Sequence, residues 1–222
     1  MENCISFNFN DPIDLEKKIL SCKKNGDVYA VIIEPYSASL LEACSQEFID
    51  KLFSLKQETD FKIIYDEVYT GFFKSKKMFY FQNFKNDNIP DVICLSKTLG
   101  GGKSSISCVV VDDDTYNKAY SKLSDTFLHT TTYNGFAEES LTALVALNII
   151  AEDNFKNKVQ KLYEHLNIKL KAINEKHKNK IDEIKGTGIL NGIVFKSIYG
   201  NLAKLIEFFP LEIIKDKAFF LK

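Results

Sequence analysis

The chain has 222 residues, 45% of them hydrophobic, which is enough to bury a sizeable core and excludes a linker or a disordered tail. A formal net charge of −1 and a pI near 6.3 exclude long-range attraction to nucleic acid or to an anionic membrane; local basic clusters such as Lys74 to Lys77 read as solvated surface. All 29 basic residues are lysine, so the sequence offers no guanidinium for a bidentate grip on a carboxylate.

The opening stretch, MENCISFNFNDP, lacks the basic and then continuously apolar profile of a secretory signal, and no uncharged apolar run reaches membrane-spanning length. The five cysteines (Cys4, Cys22, Cys44, Cys94, Cys108) are odd in number and contain no C-x-x-C pair, so no zinc or redox site is expected. A reducing, cytoplasmic location is the expectation.

Apolar runs of strand length recur at Val28–Ile33, Phe61–Tyr65, Val92–Leu95 and Ile106–Val111. One amphipathic helix is expected before the first run and another between the first two. The alternation predicts an α/β fold whose sheet is largely parallel and buried on both faces. After Gly135 the period becomes helical: Leu141, Leu144, Val145 and Ile149 form one stripe, and Phe155, Val159, Leu162, Leu166, Leu170 and Ile173 form the next. These predict two consecutive helices broken near Glu152 to Asn154. From Gly186 a turn leads into GILNGIVF, a strand candidate, and then a last apolar, charged segment to Lys222. A weak boundary falls near residue 180.

Three places could carry chemistry. At Asp66-Glu67-Val68 an apolar strand runs into two carboxylates, and the carboxyl ends of buried strands are where α/β proteins form their sites. A helix cap or surface acid would look the same. At Lys97 a lysine follows a core strand directly and precedes Gly100, Gly101 and Gly102. A lysine is rarely so placed unless its charge is paired or its pKa is lowered, and a lowered pKa suits imine chemistry; snorkelling to the surface is the competing reading. Gly102-Lys103-Ser104 copies the end of a phosphate-binding loop, but Lys97 occupies the place of the first glycine and a strand pattern follows, so that reading carries little weight. Finally, His129-Thr130-Thr131-Thr132-Tyr133-Asn134-Gly135 sets hydroxyls and a glycine before a helix, which fits either a phosphate seat or an ordinary N-cap.

Taken together, EP at 34–35, DEVYTGF at 66–72, KMF at 77–79, PD at 90–91, SKTLGGG at 96–102 and HTTTYNG at 129–135 resemble, in order and approximate spacing, the motifs of class-III aminotransferases. The match runs from about residue 28 to 196. These are fold-type I pyridoxal-phosphate enzymes. The resemblance implies a three-layer sandwich with a mainly parallel mixed sheet over residues 1–180, and part of a small C-terminal α+β domain over 181–222. It implies transfer of an amino group between an amine or amino acid and a keto acid or aldehyde, with pyridoxal 5'-phosphate as cofactor and no metal.

By the same resemblance Lys97 would hold the cofactor as a Schiff base and serve as the base that moves the substrate proton. Asp66 would pair with the pyridine nitrogen and keep it protonated. Val68 would pack on the ring, Tyr69 would stand near the phenolic oxygen where many members have glutamine, and Thr132 would reach the phosphate in the neighbouring subunit of a homodimer. Phe73 and Lys76 replace family glycines, and Ser39 stands where many ω-aminotransferases carry a second glutamate. Family members are longer, and their additional N-terminal part supplies a phosphate loop and an aromatic residue stacked on the ring. The alternative function is therefore a non-catalytic or split-gene fragment acting only with a complementary chain. Mutase, decarboxylase and racemase chemistries share the same lysine and aspartate.

Overall fold

A computed structural model of the chain describes residues 4–23, 28–86 and 88–196. The expected segment from 197 to Lys222 lies outside the described residues, as do the first three residues of the N-terminal stretch.

Helix α1 (Pro12–Lys23) begins with proline at its first position, where a missing N–H costs nothing, and Asp11 Oδ1 accepts the free N–H groups of Ile13 and Asp14. Strand β1 (Ala30–Ile33) follows, then a small hairpin of β2 (Tyr36–Ser37) and β3 (Glu42–Ala43). Helix α2 (Gln46–Thr59) is capped by Ser45, whose side chain accepts the Phe48 N–H at 3.1 Å, and ends on Asp60 in the left-handed region. Its residues Phe48, Ile49, Leu52 and Leu55 recur at helical spacing and are buried. Strands β4 (Lys62–Asp66), β5 (Val92–Leu95) and β6 (Cys108–Val111) complete the main sheet.

The sheet order is β1-β4-β5-β6, with β1, β4 and β5 parallel and β6 antiparallel. The architecture is α/β with a mainly parallel mixed sheet, as expected. One face carries Val31, Ile33, Ile63 and Tyr65, against which Leu15 and Ile19 of α1 and the buried row of α2 pack. The other face was expected to be buried too. Among the described residues it is largely open: Ile32 is 63% exposed and Val109 61%. Both α1 and α2 lie on the Ile63 side, so no helix of that pair is left to cover the opposite one.

Asp91 sets the register between β4 and β5. Its N–H donates to Ile63 O, its Oδ2 accepts the Ile63 N–H at 2.8 Å, and Lys56 and Lys62 donate to it at 2.6 and 3.1 Å. Burial alone would raise its pKa, but the hydrogen bonds from Ile63, Lys56 and Lys62 together outweigh burial and hold it below the ordinary value.

Beyond the sheet come α3 (Asp113–Ala119), α4 (Ala137–Ala151) and α5 (Asp153–Lys176), the last two broken at Glu152 as the period change predicted. Strands β7 (Ile181–Thr187) and β8 (Leu190–Phe195) form an antiparallel hairpin. The sequence reading anticipated β8 but neither β7, α3 nor the β2–β3 hairpin. The β7–β8 hairpin reaches back to the main body: Ile189 N–H donates to Lys74 O at 3.0 Å, and Lys185 pairs with Glu42. Gly188, at φ +59, is pressed against the Lys74 carbonyl where any Cβ would collide.

Candidate active site

The carboxyl ends of β4 and β5 lie side by side, because Asp66 pairs across the strands with Cys94 and Lys97 follows three residues later. Asp66 closes β4 on the open face of the sheet. It is partly exposed, and its Oδ1 accepts the Val68 N–H at 2.9 Å. Val68 is half-buried in the turn that this bond shapes.

Strand alternation sends the adjacent Glu67 the other way, into the protein, where it is fully buried. Its carboxylate accepts the Thr70 hydroxyl and the backbone N–H groups of Tyr80 and Phe81, each of the latter at 2.9 Å. Burial drives its pKa up, more strongly than these three hydrogen bonds pull it down. Two neighbouring carboxylates thus divide their roles. Asp66 faces the site, and Glu67 pins the loop between β4 and β5 onto the strand end.

That loop keeps an unusual backbone. Phe73 and Lys76 have φ of 64° and 77°, and Phe72 has φ of 66°. These are left-handed conformations that glycine adopts freely and other residues rarely do. The loop is held by Glu67 and by Tyr163 of α5, whose hydroxyl accepts the Lys76 N–H at 2.8 Å.

Lys97 opens a short turn (Lys97–Gly100) after β5, itself at φ 51°. Ser96 Oγ donates to Ile106 O at 2.8 Å and ties that turn to the chain entering β6. Gly101, at φ +59, sits so near Ala146 that α4 rests on the Lys97 turn. The amine of Lys97 has no carboxylate within ion-pair distance among the described residues, and lies 4.7 Å from the centre of the Tyr69 ring. A cavity of about 390 Å³ opens beside it, lined by Ser96, Lys97, Ser104, Ser105, Ile106 and Ser107.

Asp66, Val68, Tyr69 and Lys97 therefore gather at adjacent strand ends. Thr132 does not join them. It is exposed, in the turns before α4, and makes no hydrogen bond to that group. Three features escaped the sequence reading: the buried role of Glu67, the serine lining of the cavity, and Lys74. Lys76 and Lys77 are exposed, as expected of the basic cluster, but Lys74 is half-buried with its Nζ donating to Tyr69 O at 2.8 Å. The alternation of a strand end could have separated Glu67 from Asp66. Nothing local distinguishes Lys74 from its neighbours.

An unpaired amine and an acid at adjacent strand ends, beside a hydroxyl-lined cavity, fit pyridoxal phosphate: the amine suits its aldehyde and the carboxylate suits its ring nitrogen. Comparison with known proteins agrees. The model of the family described as aminotransferase class-III matches residues 8–210. A putrescine aminotransferase of Pectobacterium atrosepticum is 28% identical over 208 residues, covering 93% of this chain and 43% of that protein. The structure of Plasmodium falciparum ornithine delta-aminotransferase superimposes with a TM-score of 0.71 at 25% identity, over 88% of this chain and 48% of that one. The N-acetylornithine aminotransferase of Stenotrophomonas maltophilia K279a gives a TM-score of 0.70 at 22% identity, over 90% of this chain and 49% of that one. The chain thus spans about half the length of the relatives it matches.

Proposed function

Because this chain belongs to the class-III aminotransferases, whose members depend on pyridoxal phosphate, we propose that it moves an amino group between an amine or amino acid and a keto acid or aldehyde, using Lys97 as the cofactor-bearing lysine. The observation that carries the reading is the unpaired Lys97 amine at the end of β5, beside a cavity and next to the strand that ends in Asp66. When bound, the cofactor supplies a reactive carbonyl and an electron-withdrawing ring.

The protein's part follows from its residues. Asp66, partly exposed, would hold a proton at the ring nitrogen; the bond its Oδ1 accepts from the Val68 N–H orients the carboxylate. Lys97 would carry the cofactor and serve as the base that moves the substrate proton. Val68 would supply an apolar contact, the Tyr69 hydroxyl would serve the phenolic oxygen, and Thr132 would serve the phosphate of a neighbouring copy in a homodimer. Residues 1–180 are assigned to the cofactor-binding large domain and 181–222 to the small C-terminal domain. No helix among the described residues is long and apolar enough to cross a membrane. The five free thiols suit the cytoplasm.

The test is spectroscopic. Purified protein mixed with pyridoxal phosphate should develop the visible band of lysine-bound cofactor, Lys97→Ala should abolish it, and Asp66→Ala should weaken cofactor affinity by about tenfold or more, the loss expected for a charge-assisted bond. A band that survives Lys97→Ala overturns the assignment.

A second reading is favoured by the open sheet face, where Ile32 and Val109 stand exposed. In it the site is complete only when further polypeptide, including a complementary chain, lies against that face. Transamination by the isolated chain at an ordinary rate overturns this reading.

A further inference from the structure

Two lysines, not one, converge on Tyr69. Lys97 Nζ lies 4.7 Å from the ring centre and Lys74 Nζ 5.9 Å from it, while Lys74 also donates to the Tyr69 carbonyl at 2.8 Å. The Lys74 backbone is fixed, since its carbonyl accepts the Ile189 N–H and the following Ser75 is buried. Neither lysine has a carboxylate within ion-pair distance among the described residues. The acid nearest in effect is Glu67, and its oxygens are already engaged by Thr70, Tyr80 and Phe81.

A half-buried ammonium that uses one of its three donors among the described residues, beside an aromatic ring that a second ammonium also approaches, is a costly arrangement in the free protein. Its pKa shows the cost: burial first, then repulsion from Lys97, bring Lys74 down to about 8, against a smaller opposing pull from Glu67. An arriving anion relieves both effects. Within these 222 residues there is no arginine, so any side-chain cation they offer a substrate carboxylate at neutral pH is, histidine aside, a lysine.

We propose that Lys74 binds the carboxylate of the amino donor or of the keto-acid acceptor, as a single-point ammonium contact beside Lys97. The proposal deepens the aminotransferase reading, and rests on it for the identity of the ligand. The shared chemistry is that of a small oxyanion, and the cofactor's phosphate is the competing source. The structure favours carboxylate because one ammonium offering two free donors matches a singly charged group, whereas phosphate sites gather several donors.

The decisive measurement needs no cofactor. The full chain is labelled with [ε-13C]lysine, the Lys74 signal is assigned by its loss in Lys74→Arg, and its titration is followed by NMR alone and with propionate, propionamide or inorganic phosphate. Propionate should raise the Lys74 midpoint by about one pH unit, the shift that an adjacent opposite charge produces; propionamide and phosphate should leave it in place. No response to propionate, or a larger response to phosphate, overturns the proposal. In the cofactor-loaded protein, Lys74→Gln should raise KM for a keto acid about tenfold while leaving an aldehyde acceptor and the visible band unchanged, and Lys74→Arg should restore it. Equal effects on keto acid and aldehyde also overturn it. If no visible band forms in the unmutated protein, the aminotransferase reading fails for the isolated chain, and the propionate titration still decides Lys74.

Discussion

Replacing Glu67 by glutamine probes how the candidate site is held together. Oε2 accepts both the Thr70 hydroxyl and the Tyr80 N–H, and Oε1 accepts the Phe81 N–H. A glutamine has one acceptor oxygen, so in either orientation its NH₂ faces at least one backbone N–H. One unpaired donor in a part-buried place costs roughly 1–3 kcal/mol. For a chain of this size that lowers Tm by about 2–4 °C per kcal/mol. Glu67→Leu strands all three donors and should cost about 3–5 kcal/mol.

The pH dependence gives the sharper check. The folded-state pKa of Glu67 is raised above its ordinary 4.5, so the folded protein keeps this proton longer than the unfolded chain does. Glu67 therefore contributes most to stability below pH 4.5, and that contribution is lost as pH rises through the folded value. Glutamine does not titrate. Urea unfolding at several pH values from 5 to 8 should thus show the cost of Glu67→Gln shrinking as pH rises. A cost that grows with pH would mean that Glu67 is held as a stabilised anion, and would refute the assignment of burial as the dominant influence.

Asp91→Ala should destabilise the fold by about 2–3 kcal/mol, because the Ile63 N–H loses its partner and two lysines lose their anion. Since Asp91 is held below its ordinary 3.8, its contribution is present above that pH and is lost as pH falls toward the folded value, as acid unfolding of the variant against the unmutated chain should show. Lys76→Gly, at φ 77° on an exposed residue, should stabilise by about 1 kcal/mol in thermal unfolding; a loss would show that the left-handed backbone carries no strain there. Cys44 is buried, with its thiol pushed up to about 12 by burial and then by Glu34, so iodoacetamide should modify exposed Cys4 and spare Cys44 in native protein. Comparable labelling of both would refute the packing described around Cys44.

Much of the sheet was legible because its signals are local. Val92–Leu95 appears in the structure with the same bounds the apolar run suggested, and Glu152 breaks the two helices where the stripe changes phase. Asp66 and Lys97 stood out for the same reason: each follows directly on a run of strand residues, and the neighbouring motifs are contiguous. Short elements left weaker traces. The β2–β3 hairpin has two residues per strand, and β7, reading IDEIKGT, exposes much of its length and has little apolar alternation to betray it.

What the sequence by itself determined is the order of the main-sheet strands and of the longer helices, and the placing of an acid and a lysine at strand ends, since these depend on residues adjacent in the chain. What only the tertiary structure decided is which neighbours those groups meet. Glu67 lies inward under Tyr80 and Phe81. Lys74 is drawn from its exposed cluster toward Tyr69, and one sheet face stays open among the described residues. Burial and charge pairing depend on segments far apart in sequence, and composition or period cannot report them. Lysines 74, 76 and 77 look alike along the chain, and only the packed loop and the β7–β8 hairpin set one of them beside Lys97.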